Sequence, residues 1–468
     1  MNDEAAVDAE DGVVDDAQDG MVDDAQDSVV FTLGSSRKVR MRDSEAELTR
    51  LWETAGDEAR AQGSGGIMRL RELNLVIYAA GEETADLVSS VIPRLSQRHP
   101  ARAIVLLELP DTGSTAAVGA GDEPAAEATP PTPAAGGASG EPSTPEPALD
   151  SWVTAACYLT RDGGRHVCWE QVTVPARGEA ARHLHAAAMS LLVPDLPTIF
   201  WWPGEPDFDS HTFRRLGEVS DTVVIDSTGF SDPVSALGSV ARVVYDGSRN
   251  FGLADLNWSR LTPWRDMTAE FFDDPVRLSW LSRVRRVEVS FGAEDADVGQ
   301  GHHMGSPAGR ALLFVGWLAA RLGWATAGEW EENGDGVGVR LRPRTPGGGG
   351  GDDLVQARDV LVVLRRDRDP CGPLGGLAGV TLEIRPESEG TPGALLSIVH
   401  APEGCVCVAR VSEGGSEVLI RTFDVTPLLE DQLLADELDF PGTDPVFEES
   451  LLAAASLAAL KGSDWFRP

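Results

Sequence analysis

Basic charge is scarce in this chain. Its 39 Lys and Arg stand against 75 Asp and Glu, a formal net charge of −36 over 468 residues. Nucleic acids and anionic membrane surfaces both reward Lys and Arg, so this balance excludes them as partners. Long apolar runs are missing too. The most apolar stretch, residues 311–320, is about half the length a membrane span needs, and a buried helix accounts for it. No apolar h-region follows Met1, so neither a signal peptide nor a transit peptide is expected. Cysteine is sparse, and Cys157, Cys168, Cys371, Cys405 and Cys407 are odd in number and scattered. That pattern fits reduced thiols in a cytoplasm better than a disulfide framework.

Recognised catalytic motifs are also absent. The stretches at 63–66 and 372–379 are glycine-rich, but neither carries Gly-Lys-Ser/Thr, and no GxGxxG lies between a strand and a helix. No GxSxG elbow appears and no cysteine sits in a catalytic signature. His183 and His185 lie two apart on an expected helix and so point to different faces, which defeats joint metal ligation. His400, Glu403, Cys405 and Cys407 could be drawn as a metal site, but the alternation there buries the cysteines as small apolar residues. His302 and His303 have no partner at a recognised spacing. No cofactor, metal or catalytic constellation is expected.

What the chain does contain is a long, patterned core. Hydrophobic residues make up 42% of it, and the chain is long enough to split into two domains and to bury at least one sizeable core. The first 28 residues hold many Asp and Glu but no Lys or Arg, and repeat Val14-Asp-Asp-Ala-Gln-Asp as Val22-Asp-Asp-Ala-Gln-Asp. Such like-charged stretches stay solvated. Ser44 and Glu47 read as a capping box opening a helix over 44–62. Residues 73–79 and 103–109 then read as apolar strands around a helix over 82–97 kinked at Pro93, a βαβ crossover.

Residues 111–150 turn to Ala, Gly, Pro, Ser and Thr, too little apolar surface to offset ordering entropy, and read as a flexible insertion. Strands at 152–159 and 166–174 flank Arg161-Asp-Gly-Gly as a hairpin. A helix over 179–192, a strand over 198–202, a helix near 211–219 and a strand over 222–226 follow. Farther on, Val337, Val339 and Leu341 alternate with small or polar residues, as do Val380, Leu382 and Ile384, and then Cys405, Cys407, Ala409 and Val411. That is the pattern of antiparallel strands with one buried face. Asp444 and Pro445 suit the N-cap and first turn of a last helix with Phe447, Leu451, Ala454 and Ala458 on one face.

The expected architecture is an α/β N-terminal domain, its mixed or parallel sheet covered by helices, followed by an α+β C-terminal domain with antiparallel strands. The boundaries are an acidic tail over 1–30, the α/β domain over 31–245 and the α+β domain over 246–468, with a glycine-rich loop at 346–352.

One region is rich in Trp and Arg. It runs Leu196-Pro-Thr-Ile-Phe-Trp-Trp-Pro-Gly-Glu-Pro, then Thr222-Val-Val-Ile-Asp-Ser, then Asp255-Leu-Asn-Trp-Ser-Arg-Leu-Thr-Pro-Trp-Arg. Trp201, Trp202 and Pro203 end an apolar strand, where an α/β sheet presents its binding crevice, and Asp226 ends the next. Trp258, Arg260, Trp264 and Arg265 cluster inside a helix start for which Thr262 and Pro263 supply cap and first turn. Packing accounts for any one of these residues, yet Trp and Arg are also the types most enriched at interface hot spots.

In order and spacing these strings resemble the OpcA family, as do Leu73-Asn-Leu-Val-Ile-Tyr and His99-Pro-Ala-Arg-Ala-Ile upstream. The resemblance implies a non-catalytic assembly or allosteric partner of glucose-6-phosphate dehydrogenase. It makes Trp201, Trp202, Pro203, Asp226, Trp258, Arg260, Trp264 and Arg265 candidate partner contacts. Two other readings stand beside it: a sugar-phosphate sensor or enzyme using the crevice near Trp202 and Asp226, and a thiol-based regulator using Cys405 and Cys407 or Cys157 and Cys168.

Overall fold

The computed structural model describes residues 30–31, 36–61, 69–110, 150–159, 166–247, 249–292, 307–344, 359–367, 376–401, 406–424 and 428–466. The acidic repeat, most of the 111–150 insertion, the hairpin turn at 161–164, and the glycine-rich stretches at 63–66, 347–351 and 372–375 lie outside them. So do His302, His303, Glu403 and Cys405.

The first sheet is built from β1 (Val30–Phe31), β2 (Arg37–Arg40), β3 (Leu73–Ala80), β4 (Ala101–Leu109), β5 (Asp150–Leu159), β6 (His166–Arg177), β7 (Thr198–Trp202), β8 (Thr222–Ile225) and β9 (Gly252–Asp255). Its strand order is β1-β5-β6-β4-β3-β7-β8-β9, with β2 also on β5. From β6 to β9 every neighbour is parallel. Counting those six strands by sequence gives 3-2-1-4-5-6, the doubly wound order that switches direction between β3 and β7. Strand β9 pairs in this sheet although it lies beyond the expected boundary at 245.

Helices cover both faces: α1 (Ser44–Ala61), α2 (Gly81–Arg98), α3 (Leu184–Leu191), α4 (His211–Glu218) and α5 (Pro233–Tyr245). Period-two alternation sorts the strand side chains between them. Leu75, Ile77, Ala103, Val105, Ile199 and Trp201 pack on α2, whose Val88, Val91, Ile92 and Leu95 face the sheet. Val76, Tyr78, Ile104, Leu106, Phe200 and Trp202 enter the main core on the other face.

Then come α6 (Leu256–Ser259), α7 (Thr262–Glu270), α8 (Pro275–Leu278) and β10 (Val284–Gly292), followed by α9 (Pro307–Leu322), which carries the apolar run. No described helix is long and apolar enough to cross a membrane. The second sheet adds β11 (Trp324–Thr326), β12 (Glu331–Asn333), β13 (Gly336–Pro343), β14 (Val360–Asp367), β15 (Leu377–Ile384), β16 (Ala394–His400), β17 (Val406–Glu413) and β18 (Ser416–Asp424). Its order is β11-β13-β14-β10-β15-β16-β17-β18, with β12 on β13. All its pairings are antiparallel except β10 with β14.

The chain ends with α10 (Glu430–Asp439) and α11 (Pro445–Ala458), which return to the first half. Leu433, Leu434 and Leu438 of α10 join the α2 cluster. Helix α11 packs on α9 so closely that a Cβ on Gly316 would sit 2.4 Å from the Ser450 carbonyl oxygen. A Cβ on Gly252 would meet the Gly442 carbonyl oxygen at 2.0 Å, so β9 also needs its glycine.

Three expectations need correction. Cys157 and Cys168 are not reduced thiols: they are register partners across β5 and β6 and form a disulfide. Scattered spacing concealed the pairing, because hairpin register and not sequence distance brings cysteines together. Ser44 does not cap α1. Its backbone is already helical, and its buried hydroxyl meets Ser151 Oγ at 2.7 Å, while Glu47 binds Arg37 at 2.9 Å and Arg50 at 2.7 Å. The helix expected over 179–192 is a 3-10 turn (Gly178–His183) followed by α3.

Candidate functional site

Parallel sheets place ligand crevices at the carboxyl ends of their strands, at the switch between β3 and β7. Tyr78 and Trp202 meet there, stacked with ring centroids 4.1 Å apart, and the Tyr78 hydroxyl donates to Glu108. Burial and then Glu108 push the Tyr78 phenol well above its usual value. The strand order implies a dinucleotide, so the residues must be tested against one. The turn from β3 to α2 reads Tyr-Ala-Ala-Gly-Glu-Glu, with one glycine where the fingerprint needs three. Glu82 and Glu83 occupy the first turn of α2, where a pyrophosphate would sit, and both are exposed. A dinucleotide does not fit these residues.

Polar groups converge instead beside β8 and β9. Asp226 follows β8 and accepts from Arg260 Nη1 at 2.8 Å and from the Thr228 amide at 3.1 Å. Burial opposes its charged form, but the Arg260 guanidinium outweighs that and holds the carboxyl below its usual range. Asp255 ends β9, and its Oδ1 accepts from the Ser227 amide at 2.9 Å and the Asn257 amide at 3.0 Å. Its Oδ2 is buried without a hydrogen bond. Burial, and then the Asp226 charge, push Asp255 up to about 6. Arg310 of α9 reaches in, donating to Asn257 Oδ1 at 2.8 Å. Burial and the neighbouring Arg260 lower it to about 10. Two buried carboxylates, the buried Arg310 and the half-buried Arg260 thus tie β8, β9, α6 and α9 together.

The Trp and Arg string forms two helices rather than one. Asp255 caps α6, and α7 starts after Leu261, which offers no side-chain cap; Thr262 Oγ1 accepts instead from Arg265 at 2.7 Å. Trp258 is buried, and its indole N–H donates to Asp444 Oδ2 at 3.0 Å. The Arg265 guanidinium lies 3.4 Å from the Trp258 ring centre. Burial lowers Arg265 to about 10.

The structure therefore brings Asp226 to Arg260 and Trp258 to Arg265. It does not gather all eight candidates. Trp201 is 1% exposed and packs toward α2, Trp202 and Trp264 are buried in the main core, and Pro203 is half-buried beside Trp202. Sequence reasoning missed Asp255, Asn257 and Arg310. The first two stood inside the quoted string, whereas Arg310 had no local signal. The Cys407 thiol is buried and pushed up to about 12, and His400 is its register partner. Among the described residues no group of three or more His, Cys, Asp and Glu could hold a metal.

Comparison with known proteins gives a consistent family. One family model, described as glucose-6-phosphate dehydrogenase subunit N-terminal domain, matches residues 93–242. A second, described as the C-terminal domain of the same subunit, matches 251–451. A Nostoc punctiforme protein named "Putative OxPP cycle protein OpcA" is 26% identical over 480 residues, covering 92% of this chain and 96% of that one. A protein of the same name from Synechococcus elongatus is 28% identical over 66% of this chain and 64% of that one. Among solved structures, a scyllo-inositol dehydrogenase from Lactobacillus casei is 10% identical, covers 84% of this chain and 96% of that one, and has a TM-score of 0.38, too distant to carry an argument. With both halves matched in order, the chain belongs to the OpcA glucose-6-phosphate dehydrogenase assembly family.

Proposed function

We propose that this chain is a non-catalytic partner of glucose-6-phosphate dehydrogenase in the oxidative pentose phosphate cycle, and that it prefers the substrate-competent conformation of that enzyme. The observation that carries the reading is the pair of dehydrogenase-subunit matches, which together take in 93–242 and 251–451. The chain's own switch-point crevice supports it, since Glu82 and Glu83 stand in the first turn of α2, where the pyrophosphate of a nicotinamide cofactor would need an anion cradle.

A partner that binds one conformation better than the other shifts the population by its differential affinity. A coupling of about 1 to 3 kcal/mol corresponds to roughly five- to 150-fold in substrate affinity. Coupling is reciprocal, so glucose 6-phosphate must tighten the complex by the same factor. Titrating the dehydrogenase with this protein, with and without glucose 6-phosphate, tests that. Equal affinities would exclude the allosteric form of the proposal.

The Cys157–Cys168 disulfide favours a second reading, thiol-based control of the same partner. Bonded cysteines in intracellular proteins are commonly redox-sensing. Cys407, buried with a raised thiol, suits that role poorly. The sugar-phosphate sensor is disfavoured, because the guanidiniums there are already engaged, Arg260 by Asp226 and Arg310 by Asn257.

A further inference from the structure

A cavity of about 930 Å³ opens between α6–α7 and the α10–α11 turn, and Trp258, Thr262 and Pro263 of the Trp and Arg string line it. Its wall carries six carboxylates, Asp266, Glu270, Asp436, Glu437, Asp439 and Asp444, against one lining cation, Arg98, with the Arg265 guanidinium close enough to act on Asp266, Glu437 and Asp444. Five of the six have polar partners. Arg98 holds Asp436 and Asp439, Arg421 holds Glu270 at 2.8 Å, and Asp444 accepts from Trp258 and the α11 amides. Asp266 and Glu437 form no ion pair among the described residues. Glu437, which accepts from Ser259 Oγ, is raised by burial and by the nearby Asp444 charge even though Ser259 and Arg265 pull the other way, a carboxyl that a further cation would relieve.

Apart from Ser259, Thr262 and Thr443, the remaining wall is apolar. Met267, Phe423, Leu428 and Phe447 contribute to it, and Phe440 stands at the rim, 88% exposed. An aromatic side chain so exposed beside a concave apolar surface marks a contact surface, not a folding element. We propose that this cavity is the socket for a segment of the partner dehydrogenase that presents a Lys or Arg beside an apolar side chain. The cation enters between Asp266 and Glu437, and the apolar neighbour lies against Phe440 and Leu428. The socket rests on the partner reading given above and adds to it a location and a chemistry.

Charge complementarity selects this occupant. An anionic metabolite is repelled by the wall. A second copy of this chain is opposed by its own net charge of −36.

The test is the Kd of the full-length protein for the dehydrogenase, measured with Asp266→Lys and Phe440→Ala. Both positions are exposed, so folding is not at stake, and an unchanged circular dichroism spectrum checks it. Glu53→Lys, exposed on α1, is the control for loss of negative charge. The expected result is a rise in Kd of about tenfold or more for each socket variant, with the control within about twofold and binding that weakens as salt is raised. If wild type binds and both socket variants bind equally well, the socket is overturned and the partner reading survives. If wild type does not bind, both fall.

Discussion

The indole N–H of Trp258 donates to Oδ2 of Asp444 at 3.0 Å, while Oδ1 of that carboxylate accepts from the Val446 and Phe447 amides that open α11. One aspartate thus caps the last long helix and anchors it to α6, 186 residues earlier.

Asp444→Ala removes both interactions. A lost cap costs about 1 kcal/mol and an orphaned buried donor about 1 to 3 kcal/mol, so a destabilisation of about 2 to 4 kcal/mol is expected in urea unfolding. Trp258→Phe, which leaves the cap in place, costs less. A double-mutant cycle should return a coupling of about 1 kcal/mol, and strict additivity would refute the anchor.

The Asp226–Arg260 pair predicts an asymmetric outcome. Arg260→Met strands a buried carboxylate and costs about 3 kcal/mol, whereas Asp226→Asn with Arg260→Met removes both charges and recovers part of that loss. A double variant less stable than Arg260→Met alone would contradict the account.

Asp255 predicts a pH dependence. Its folded value of about 6 lies above the ordinary 3.8, so the folded state binds this proton more tightly than the unfolded one. Its contribution is fully present below the unfolded value and is lost as pH rises through about 6, up to about 3 kcal/mol. Asp226 has a lowered value and acts in the opposite sense at more acidic pH, while Arg260 and Arg310 stay charged throughout the window. Asp255→Asn keeps the Oδ1 acceptor and should flatten stability between about pH 4 and 7 relative to wild type. Parallel profiles for the two proteins would show that Asp255 does not titrate there.

Much of the fold was legible because its strands are buried on both faces and read as unbroken apolar runs, as in Leu73–Ala80 and Thr198–Trp202. The Asp444–Pro445 cap was legible because it is local. What escaped the sequence is long-range. Cys157 meets Cys168 through hairpin register, Ser44 meets Ser151 across 107 residues, and Arg310 reaches Asn257 from the next sheet's helix. The site was legible as a string of Trp and Arg, but not the burial that turns most of those side chains inward, nor the cavity that α10 and α11 complete.

Packing of α9 on α11 depends on Gly316. Gly316→Val forces a side chain into the Ser450 carbonyl and the Ala454 Cβ, and should cost about 1 to 3 kcal/mol despite leaving every polar contact intact. Thermal unfolding followed by circular dichroism reads this directly. A melting temperature equal to wild type would mean that the helices do not pack this closely.

The disulfide predicts a redox effect on stability. Cys157 and Cys168 are 11 residues apart, and closing so short a loop stabilises by about 3 kcal/mol on chain-entropy grounds. Thiol reductant should lower the stability of wild type and leave the Cys157→Ser, Cys168→Ser double variant unchanged. An equal response from both would remove the basis for thiol control.

The most direct test of the partner account is steady-state kinetics of the host's glucose-6-phosphate dehydrogenase, with and without this purified protein, over a range of glucose 6-phosphate. The account predicts a lower apparent KM or a higher kcat when the protein is present, saturating with its concentration. Superimposable curves at saturating protein, together with no co-elution of the two chains, would contradict it.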